Sequence, residues 1–488
     1  MRPPVRPSLR GGLATQIRRY ESGALGLPAH GCYFTISQSQ FERWACPRKG
    51  WFSEIEGLRT GVTPAMRLGT AWDRWKREVW TWWQERDEPY PERGLERCVW
   101  CDGEAGDVGC ERCASGESEL HRAAVDLQES CEMEPEQVAT LLDQLYRMAV
   151  GWVAHYEGGA LQDLQVMGVQ VPLAREVVNP RTGEPYCPVS YLVETEPRAE
   201  TLPLGFEVLT THWRLARTGE RGHAVRWPYF QVGAIDVLMR DRVTYAGYAV
   251  DDKASAGVSK YGDLARIDPQ LPGYCWLLEP HLEHFGLKSV AGYFYEVAST
   301  RFQQDPEILA PRWPSMEELR ELAKSRGVKV PGRSKEEYIA ALGVPEPAPE
   351  MSRNTSKFTP SWRYRAALQA AGIDPDGYED YLGYLRHAVD PECYARGEVT
   401  MLPYSAAVGQ RYEAELFSRV QTHAEKRRAA ALSTSVYDVD VAFPRVPICK
   451  LGARCAFTDV CSVHEADSSQ IRTGFDQASD QVWGRKAT

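Results

Sequence analysis

The segment from Gly233 to Ser255, GAIDVLMRDRVTYAGYAVDDKAS, constrains the fold of this chain more than any other segment. It holds two runs rich in Val, Tyr and Ile, separated by a short polar turn, which is typical of neighbouring β-strands. Side chains alternate between the faces of a strand, so we expect Asp251 and Lys253 on one face and Asp252 on the other. If the turn pairs the two runs, Asp236 on the first strand comes close to both.

Two carboxylates and an ammonium at one point suit phosphodiester cleavage. Hard oxygen ligands bind Mg²⁺ or Mn²⁺, and such a metal polarises a phosphate and helps to form hydroxide from water. Lys253 can steady the developing negative charge or orient the water. A surface hairpin with ordinary charged residues is the alternative interpretation of a D-x-K pattern alone. Because Asp252 is expected to face away, Asp252→Ala should be far milder than Asp251→Ala.

The rest of the sequence has the mixture of helical and extended patterns that is typical of an α/β fold. Strand patterns cover 164–173, 228–241, 243–251 and 289–298, and helical patterns cover about 35–83, 134–156, 262–279, 361–387 and 405–432. A cluster of tryptophans between Trp72 and Trp83 is most simply explained by core packing. Gln270 and Tyr274, in QLPGY, lie at i and i+4 and therefore on one face of a helix.

Taken together, GAIDVLM, VDDKAS and QLPGY resemble the motifs of the RecB-like branch of the PD-(D/E)xK nucleases. That branch carries an Asp, a D-x-K and a following Q-x-x-x-Y. Three further segments are similar to family segments: TISQSQFERWACPRKGWF to the S-x-S…C segment, VPLAREVVNPRTGEP to the strand before the metal site, and RLGTAWDRW to the G-T-x-x-H helix. The resemblance implies a restriction-endonuclease-like α/β core, with a mixed sheet flanked by helices.

The resemblance also implies roles for individual residues. Asp236, Asp251 and Lys253 would be catalytic, and Gln270 and Tyr274 would act with them and contact DNA near the active centre.

Asp73 stands where the family usually has a metal-ligating His. It would join Asp236 and Asp251 in a shell of oxygen ligands for Mg²⁺ or Mn²⁺. A solvated helical Asp beside Arg74 and Arg77 is the alternative interpretation.

The function that the resemblance implies is a metal-dependent DNA exonuclease, acting on DNA ends in phage-like recombination, repair or end processing. Its partners would be DNA, single-stranded or with duplex ends, and a recombination or repair protein. A structure-specific or nicking endonuclease on the same fold is one alternative, and a DNA-binding scaffold with an inactive site is another. The net charge of −10 argues neither for nor against these functions, because a local basic channel is sufficient.

Thirteen cysteines require an explanation in a chain expected to be cytoplasmic, where thiols stay reduced and clustered cysteines more often bind metal. The pattern CVWC-x8-CERC has two C-x-x-C knuckles, which favour a tetrahedral structural zinc site. The four expected ligands are Cys98, Cys101, Cys110 and Cys113.

A second group of cysteines, spaced C-x5-C-x5-C near the C-terminus, provides three ligands, Cys449, Cys455 and Cys461. Related nucleases with an iron–sulfur cluster take one Cys from before the core and three from after it, so the resemblance supplies Cys46 as the fourth ligand of a [4Fe–4S] cluster. The first spacing is wider than the family's. A zinc site and three unconnected core cysteines are the alternatives.

The segment EELRELAKSRGVKVPGRSKEEYIAAL resembles the SAP-like helix–extension–helix units that bind DNA. We expect a small apolar core of Leu319, Leu322, Val328, Val330, Tyr338 and Leu342. The basic residues expected on the surface are Lys324, Arg326, Lys329, Arg333 and Lys335. A solvated helical hairpin of mixed charge is the alternative.

A length of 488 residues is more than one compact core usually holds. We therefore divide the chain into an N-terminal helical segment with the first cluster Cys (1–89), a zinc-binding insertion (90–118), the nuclease core (119–312), the SAP-like unit (313–345) and a C-terminal helical region with three cluster cysteines (346–488). No apolar run approaches the roughly 18 residues of a membrane helix, and no apolar stretch follows the basic N-terminus. The sequence thus predicts a cytoplasmic protein without a membrane partner.

Overall fold

The computed structural model describes most of the chain between residues 64 and 432 and short segments outside it. The described residues are 8–9, 25–28, 33–38, 58–59, 64–96, 98–99, 118–131, 133–157, 163–201, 207–215, 221–309, 312–332, 334–345, 349–354, 358–395, 401–432 and 476–477.

Eight strands of four or more residues are present among the described residues. They are β1 (Phe34–Ser37), β2 (Leu164–Glu176), β3 (Val189–Thr201), β4 (Glu207–Leu215), β5 (His223–Arg226), β6 (Tyr229–Asp241), β7 (Ala246–Ser255) and β8 (Ser289–Ser299). Two-residue strands lie at Ser8–Leu9, Leu58–Arg59, Ile308–Leu309, Glu350–Met351, Tyr394–Ala395, Leu402–Pro403 and Asp476–Gln477.

The larger sheet is mixed and is built around β6. Strand β2 pairs antiparallel along one edge of β6, and β7 and β1 share the other edge, β7 antiparallel and β1 parallel. Strand β8 lies parallel to β7, and its outer edge takes Tyr394–Ala395 and Leu402–Pro403 as antiparallel partners. The sheet therefore draws strands from outside residues 119–312. A second sheet has β3 between β4 and β5, with Ser8–Leu9 on the outer edge of β4.

Helices flank the larger sheet on both sides. The described helices are α1 (Pro64–Arg86), α2 (Glu119–Cys131), α3 (Pro135–Glu157), α4 (Tyr261–Ile267), α5 (Gln270–Leu278), α6 (Met316–Arg326), α7 (Lys335–Leu342), α8 (Ser361–Ala370), α9 (Glu379–Ala388) and α10 (Ala406–Leu432), besides short 3-10 turns. Helices α1 and α3 share one apolar core with sheet residues such as Val237 and Val250. Helices α5 and α10 share the core on the opposite face, with Leu238 and Ala249. Burying both faces of a sheet in this way is characteristic of α/β architecture.

The tryptophans of α1 form the centre of the first core, as the sequence predicts. Trp72, Trp75 and Trp80 are each at most 2% exposed. The ring centroid of Trp152 on α3 lies 5.8 Å from that of Trp75 and 5.4 Å from that of Trp80, with both pairs edge to face. Edge-to-face contacts of this kind add to the free energy gained by burying the rings. They fix how α1 packs against α3 above the sheet.

Two expectations from the sequence are wrong. Residues 35–37, assigned to a helical region, lie in strand β1, where the β-branched Thr35 and Ile36 pair beside β6. The helix expected over 262–279 is two helices, because Asp268 precedes a proline and is extended, with φ −75° and ψ 118°. Strands β3, β4 and β5 and helix α2 were not predicted.

Candidate active site

Asp236 lies on β6 at the point where pairing with one neighbouring strand has ended and pairing with the next begins. Strand β1 pairs with Tyr229–Val232, and β7 pairs with Val237–Arg240. Between these ladders the carboxylate of Asp236 takes the place of a backbone partner, since its Oδ2 accepts the N–H of Asp252 at 3.0 Å. The stretch of this edge of β6 between the two ladders, Gly233 to Asp236, has no strand partner among the described residues, and we call it the gap.

Asp251 and Lys253 meet beside this gap, on the same face of β7. The two side chains form an ion pair, in which Asp251 is 1% exposed and Lys253 is 30% exposed. Gln270, at the start of α5, donates from Nε2 to Asp251 Oδ1 at 3.0 Å and lies 2.7 Å from the hydroxyl oxygen of Tyr274. The structure therefore brings together all five residues that the sequence singled out on these strands and this helix. The ammonium is the more exposed member of the ion pair.

The charges of this group perturb one another. Burial and the neighbouring Asp251 raise the pKa of Asp236 well above its usual range. Burial also raises the pKa of Asp251, although the ammonium of Lys253 opposes it. Burial alone would lower the pKa of Lys253, but its attraction to Asp251 and Asp236 outweighs this effect and raises that pKa. Two desolvated carboxylates thus lie close together, and a bound cation would stabilise their ionised forms.

Gln170 on β2 is a further site residue, which the sequence did not identify. Its Nε2 donates to Asp236 Oδ1 at 2.9 Å, and its backbone has a φ of +50°, unusual for a residue other than glycine. The pairing of β2 with β6 shifts between Val166 and Gly168. Gly168, which interrupts an extended pattern, is the one signal of this bulge in the sequence.

Helix α5 approaches the gap closely because β6 has a glycine beneath it. A Cβ at Gly233 would lie 3.0 Å from Leu277 Cδ1 and 3.1 Å from Tyr274 Cε1. The start of α5 is fixed by Asp268, whose Oδ1 accepts the N–H of Gln270 at 2.8 Å and whose Oδ2 accepts the hydroxyl of Tyr295. The sequence GAID therefore provides both the close packing of the helix and the carboxylate next to it.

Asp73 lies on α1, and its carboxylate forms an ion pair with Arg77 one turn along the helix. Its negative charge nevertheless adds to burial in raising the pKa of Asp236 and the pKa of Asp252. Asp73 therefore lies near the carboxylates, and its own carboxylate is held by an arginine.

Asp252 points to the opposite face of the sheet from Asp251, as expected. It is not a solvated residue there. Its Oδ1 lies 3.2 Å from the ammonium of Lys76, and its Oδ2 accepts the indole N–H of Trp80 at 2.7 Å. Both contacts come from α1. The expectation that Asp252→Ala would be mild therefore requires revision, since this change would leave a buried ammonium without its partner.

The oxygen donors of Asp236 and Asp251 fit a hard divalent cation in chemical type. The burial of two neighbouring carboxylates supports the fit, because burial and the charge of Asp251 together raise the pKa of Asp236. Within the described residues, no group of three His, Cys, Asp or Glu side chains is close enough to hold a metal ion. A divalent ion would therefore rely on these two carboxylates together with water or phosphate oxygens.

The helix pair α6–α7 has the small core that the sequence predicts. Leu319 and Leu342 are buried, and Leu322, Val328, Val330 and Tyr338 pack against them. Lys324 and Lys329 are exposed. Arg326 donates to the backbone oxygen of Leu342 at 3.0 Å and Lys335 lies 3.4 Å from that of Trp313, so these two also hold the unit together. Arg333 lies outside the described residues.

Most of the cysteines expected to bind zinc or an iron–sulfur cluster lie outside the described residues. These are Cys46, Cys101, Cys110, Cys113, Cys449, Cys455 and Cys461. Cys98 is described, and it is fully buried.

No protein-family model matches this sequence, and no curated protein gives a significant match to it. In the part of the chain that is described, none of the helices combines the length and apolarity needed to cross a membrane.

Proposed function

We propose that this protein is a metal-dependent DNA nuclease of the PD-(D/E)xK type. The observation that carries the proposal is the meeting of Asp236, Asp251 and Lys253 in a gap between strands. The carboxylate of Asp251 is shielded from water, while Lys253 is partly exposed and can meet an anionic substrate. A phosphodiester of DNA is the substrate class that suits this combination of charges.

The residues of this chain have separate roles in the proposed reaction. Asp236 and Asp251 hold a Mg²⁺ or Mn²⁺ ion, with Asp73 as a further candidate ligand once it leaves Arg77. When bound, the metal polarises the phosphate and lowers the pKa of water. Lys253 donates to an anionic oxygen of the phosphate and offsets the charge that develops there. Gln170 and Gln270 orient the two carboxylates through the hydrogen bonds that they donate.

In this proposal the enzyme acts on DNA ends, in phage-like recombination, repair or end processing. Lys324 and Lys329 on α6–α7 give a second contact with phosphates. The proposed ligands of a [4Fe–4S] cluster are Cys46, Cys449, Cys455 and Cys461, and those of one zinc ion are Cys98, Cys101, Cys110 and Cys113.

The test is digestion of end-labelled linear DNA and of circular single-stranded DNA with Mg²⁺ or Mn²⁺. We expect metal-dependent cleavage of the linear substrates and intact circles, because an exonuclease requires an end. Asp251→Asn and Lys253→Met should each lower the rate by about 10²- to 10³-fold, since loss of a group that stabilises transition-state charge has this scale of effect. Asp263→Asn, which changes an exposed Asp in the first turn of α4, is the matched control and should cleave normally.

Cleaved circles would instead favour the endonuclease alternative. No cleavage with any divalent metal, together with retained DNA binding, would favour the inactive scaffold.

A further inference from the structure

A second buried charged cluster lies on the face of the sheet opposite the candidate active site. Lys76 of α1 and Asp252 of β7 are paired there, with side chains 1% and 4% exposed. Glu296 of β8, the register partner of Asp252, is also buried. The ammonium of Lys76 is therefore paired with Asp252 and also interacts electrostatically with Glu296 on the adjacent strand.

Aromatic rings enclose this cluster. The Lys76 Nζ lies 4.0 Å from the ring centroid of Trp152 and 4.3 Å from that of Trp80. The indole N–H of Trp152 donates to Glu296 at 3.2 Å. Burial lowers the pKa of Lys76, although Asp252 and Glu296 oppose this effect, and burial raises the pKa of Glu296 to about 7. The cluster is thus desolvated and costly to form.

Stability alone does not account for such a cluster. Buried ion pairs can often be replaced by apolar residues of similar volume without loss of stability. The charged cluster instead fixes the orientation of the Asp252 carboxylate, because Lys76 and Trp80, both on α1, each hold one of its two oxygens.

Asp252 connects this cluster to the active site through a single residue. Its side chain is held by α1, and its main-chain N–H donates to Oδ2 of Asp236 at 3.0 Å. Its chain neighbours are Asp251 and Lys253. Any rotation of Asp252 would therefore move the hydrogen bond that orients Asp236 and the two side chains on either side.

We infer that Lys76 and Trp80 are positioning residues, which act through Asp252 to orient Asp236 and Asp251 for binding a divalent metal ion. The inference rests on the proposed function. It gives α1 a role at the Asp252 side chain, which is separate from any binding of the metal ion by Asp73.

The test uses the full-length protein and compares Lys76→Met/Asp252→Asn with the unaltered chain. The double change removes both charges of the pair and keeps an oxygen for the indole of Trp80. Glu296 also loses the nearby ammonium, but it can become neutral by binding a proton, because burial raises its pKa to about 7. We expect a melting temperature close to that of the unaltered protein. Mn²⁺ affinity, measured by calorimetry without DNA, should fall about tenfold or more, as for other residues that orient metal ligands, and cleavage should fall with it.

Two further variants complete the test. Trp80→Phe removes only the N–H that holds Asp252 and keeps a ring beside Lys76, so it should weaken Mn²⁺ binding less than the double change. Arg242→Met removes a surface ion pair with Asp87, whose partners are 36% and 44% exposed, and should leave Mn²⁺ binding unchanged.

Unaltered Mn²⁺ affinity in a folded double variant would overturn the inference and leave the proposed function intact. If the double variant does not fold, unaltered affinity in Trp80→Phe would overturn the inference in its place. A native protein that neither binds Mn²⁺ nor cleaves DNA would overturn the proposed function and this inference together.

Discussion

At the scale of single residues, Asp73 is the side chain for which sequence and structure suggest different partners. Its place in RLGTAWDRW suggests a metal ligand, whereas the structure pairs it with Arg77. The two are compatible if a bound cation competes for the carboxylate. We therefore predict that Asp73→Ala lowers the Mg²⁺-dependent cleavage rate by about tenfold or more.

Asp73→His gives the matched comparison. Imidazole suits softer metals than carboxylate does, so this variant should retain some activity and prefer Mn²⁺ over Mg²⁺. Steady-state cleavage rates with each metal provide the measurement. Full activity of Asp73→Ala with Mg²⁺ would show that Asp73 only pairs with Arg77.

Asp236 leads to a prediction about stability and pH. Its pKa is raised in the folded protein, mainly by burial and by Asp251, so the folded state binds its proton more tightly than the unfolded chain does. Its ionisation therefore destabilises the fold as the pH rises from the unfolded pKa, about 3.9, through the folded one. Asp236→Asn cannot ionise, so it should avoid this destabilisation. At pH 8 the variant should be more stable than the unaltered protein, by about 1.4 kcal/mol for each unit of pKa shift.

The measurement is the melting temperature in EDTA across a pH series. The advantage of Asp236→Asn should shrink as the pH falls toward the ordinary pKa of Asp. Gln170 can rotate its amide and present its oxygen to the new Asn, so the hydrogen bond between them need not be lost. A variant that is less stable at every pH would contradict the raised pKa.

At the scale of elements, the α6–α7 unit shows how much local sequence determines. Ser315 and Ser334 each form a capping box with the Glu three residues on, which is a strong local signal for a helix start. Gly327 and Gly343 follow the two helices in the left-handed region, at φ 66° and 56°, where helices commonly end at glycine. Sequence reasoning located this unit because its caps and its core both lie within a short segment.

If this unit binds DNA, its exposed lysines provide contacts with phosphates. Lys324→Glu/Lys329→Glu should weaken DNA binding and reduce the slope of log affinity against log salt by about 2, because each phosphate contact contributes about 0.9. Binding to a labelled oligonucleotide at several salt concentrations provides the measurement.

Lys288→Glu changes an exposed lysine just before β8, at the end of the sheet away from Asp251, and serves as the control. An unchanged slope in the double variant would favour a solvated hairpin without contact to DNA.

At the scale of the whole molecule, the cysteines predict which metals the purified protein contains. Protein purified without oxygen should be brown and contain iron, sulfide and one zinc per chain. Cys449→Ser should remove the colour and lower the melting temperature, because the cluster would link residues before and after the core. Cys98→Ser should release the zinc and retain the iron.

Elemental analysis and the visible absorption spectrum provide these measurements. A colourless protein with two zinc ions per chain would show that the second set of cysteines binds zinc.

The sequence by itself determined several of the helices and strands and the alternation of side chains along the D-x-K strand. Strand and helix periods are local, so β6, β7, β8 and α10 could be placed within a few residues of their observed bounds. The common face of Asp251 and Lys253 follows from the period of two along one strand. The pairing of Gln270 with Tyr274 follows in the same way from the helical period.

Only the tertiary structure decided what surrounds these residues. Strand β1 reaches β6 from nearly 200 residues away in the sequence, and no local pattern specifies that pairing. The same holds for Gln170, which reaches Asp236 from the neighbouring strand β2, and for Lys76, which reaches Asp252 from a helix. Such contacts depend on how separate elements pack, which a period along one strand or helix does not encode. The sequence could therefore identify the carboxylates and the lysine, whereas the groups that orient them were visible only in the folded chain.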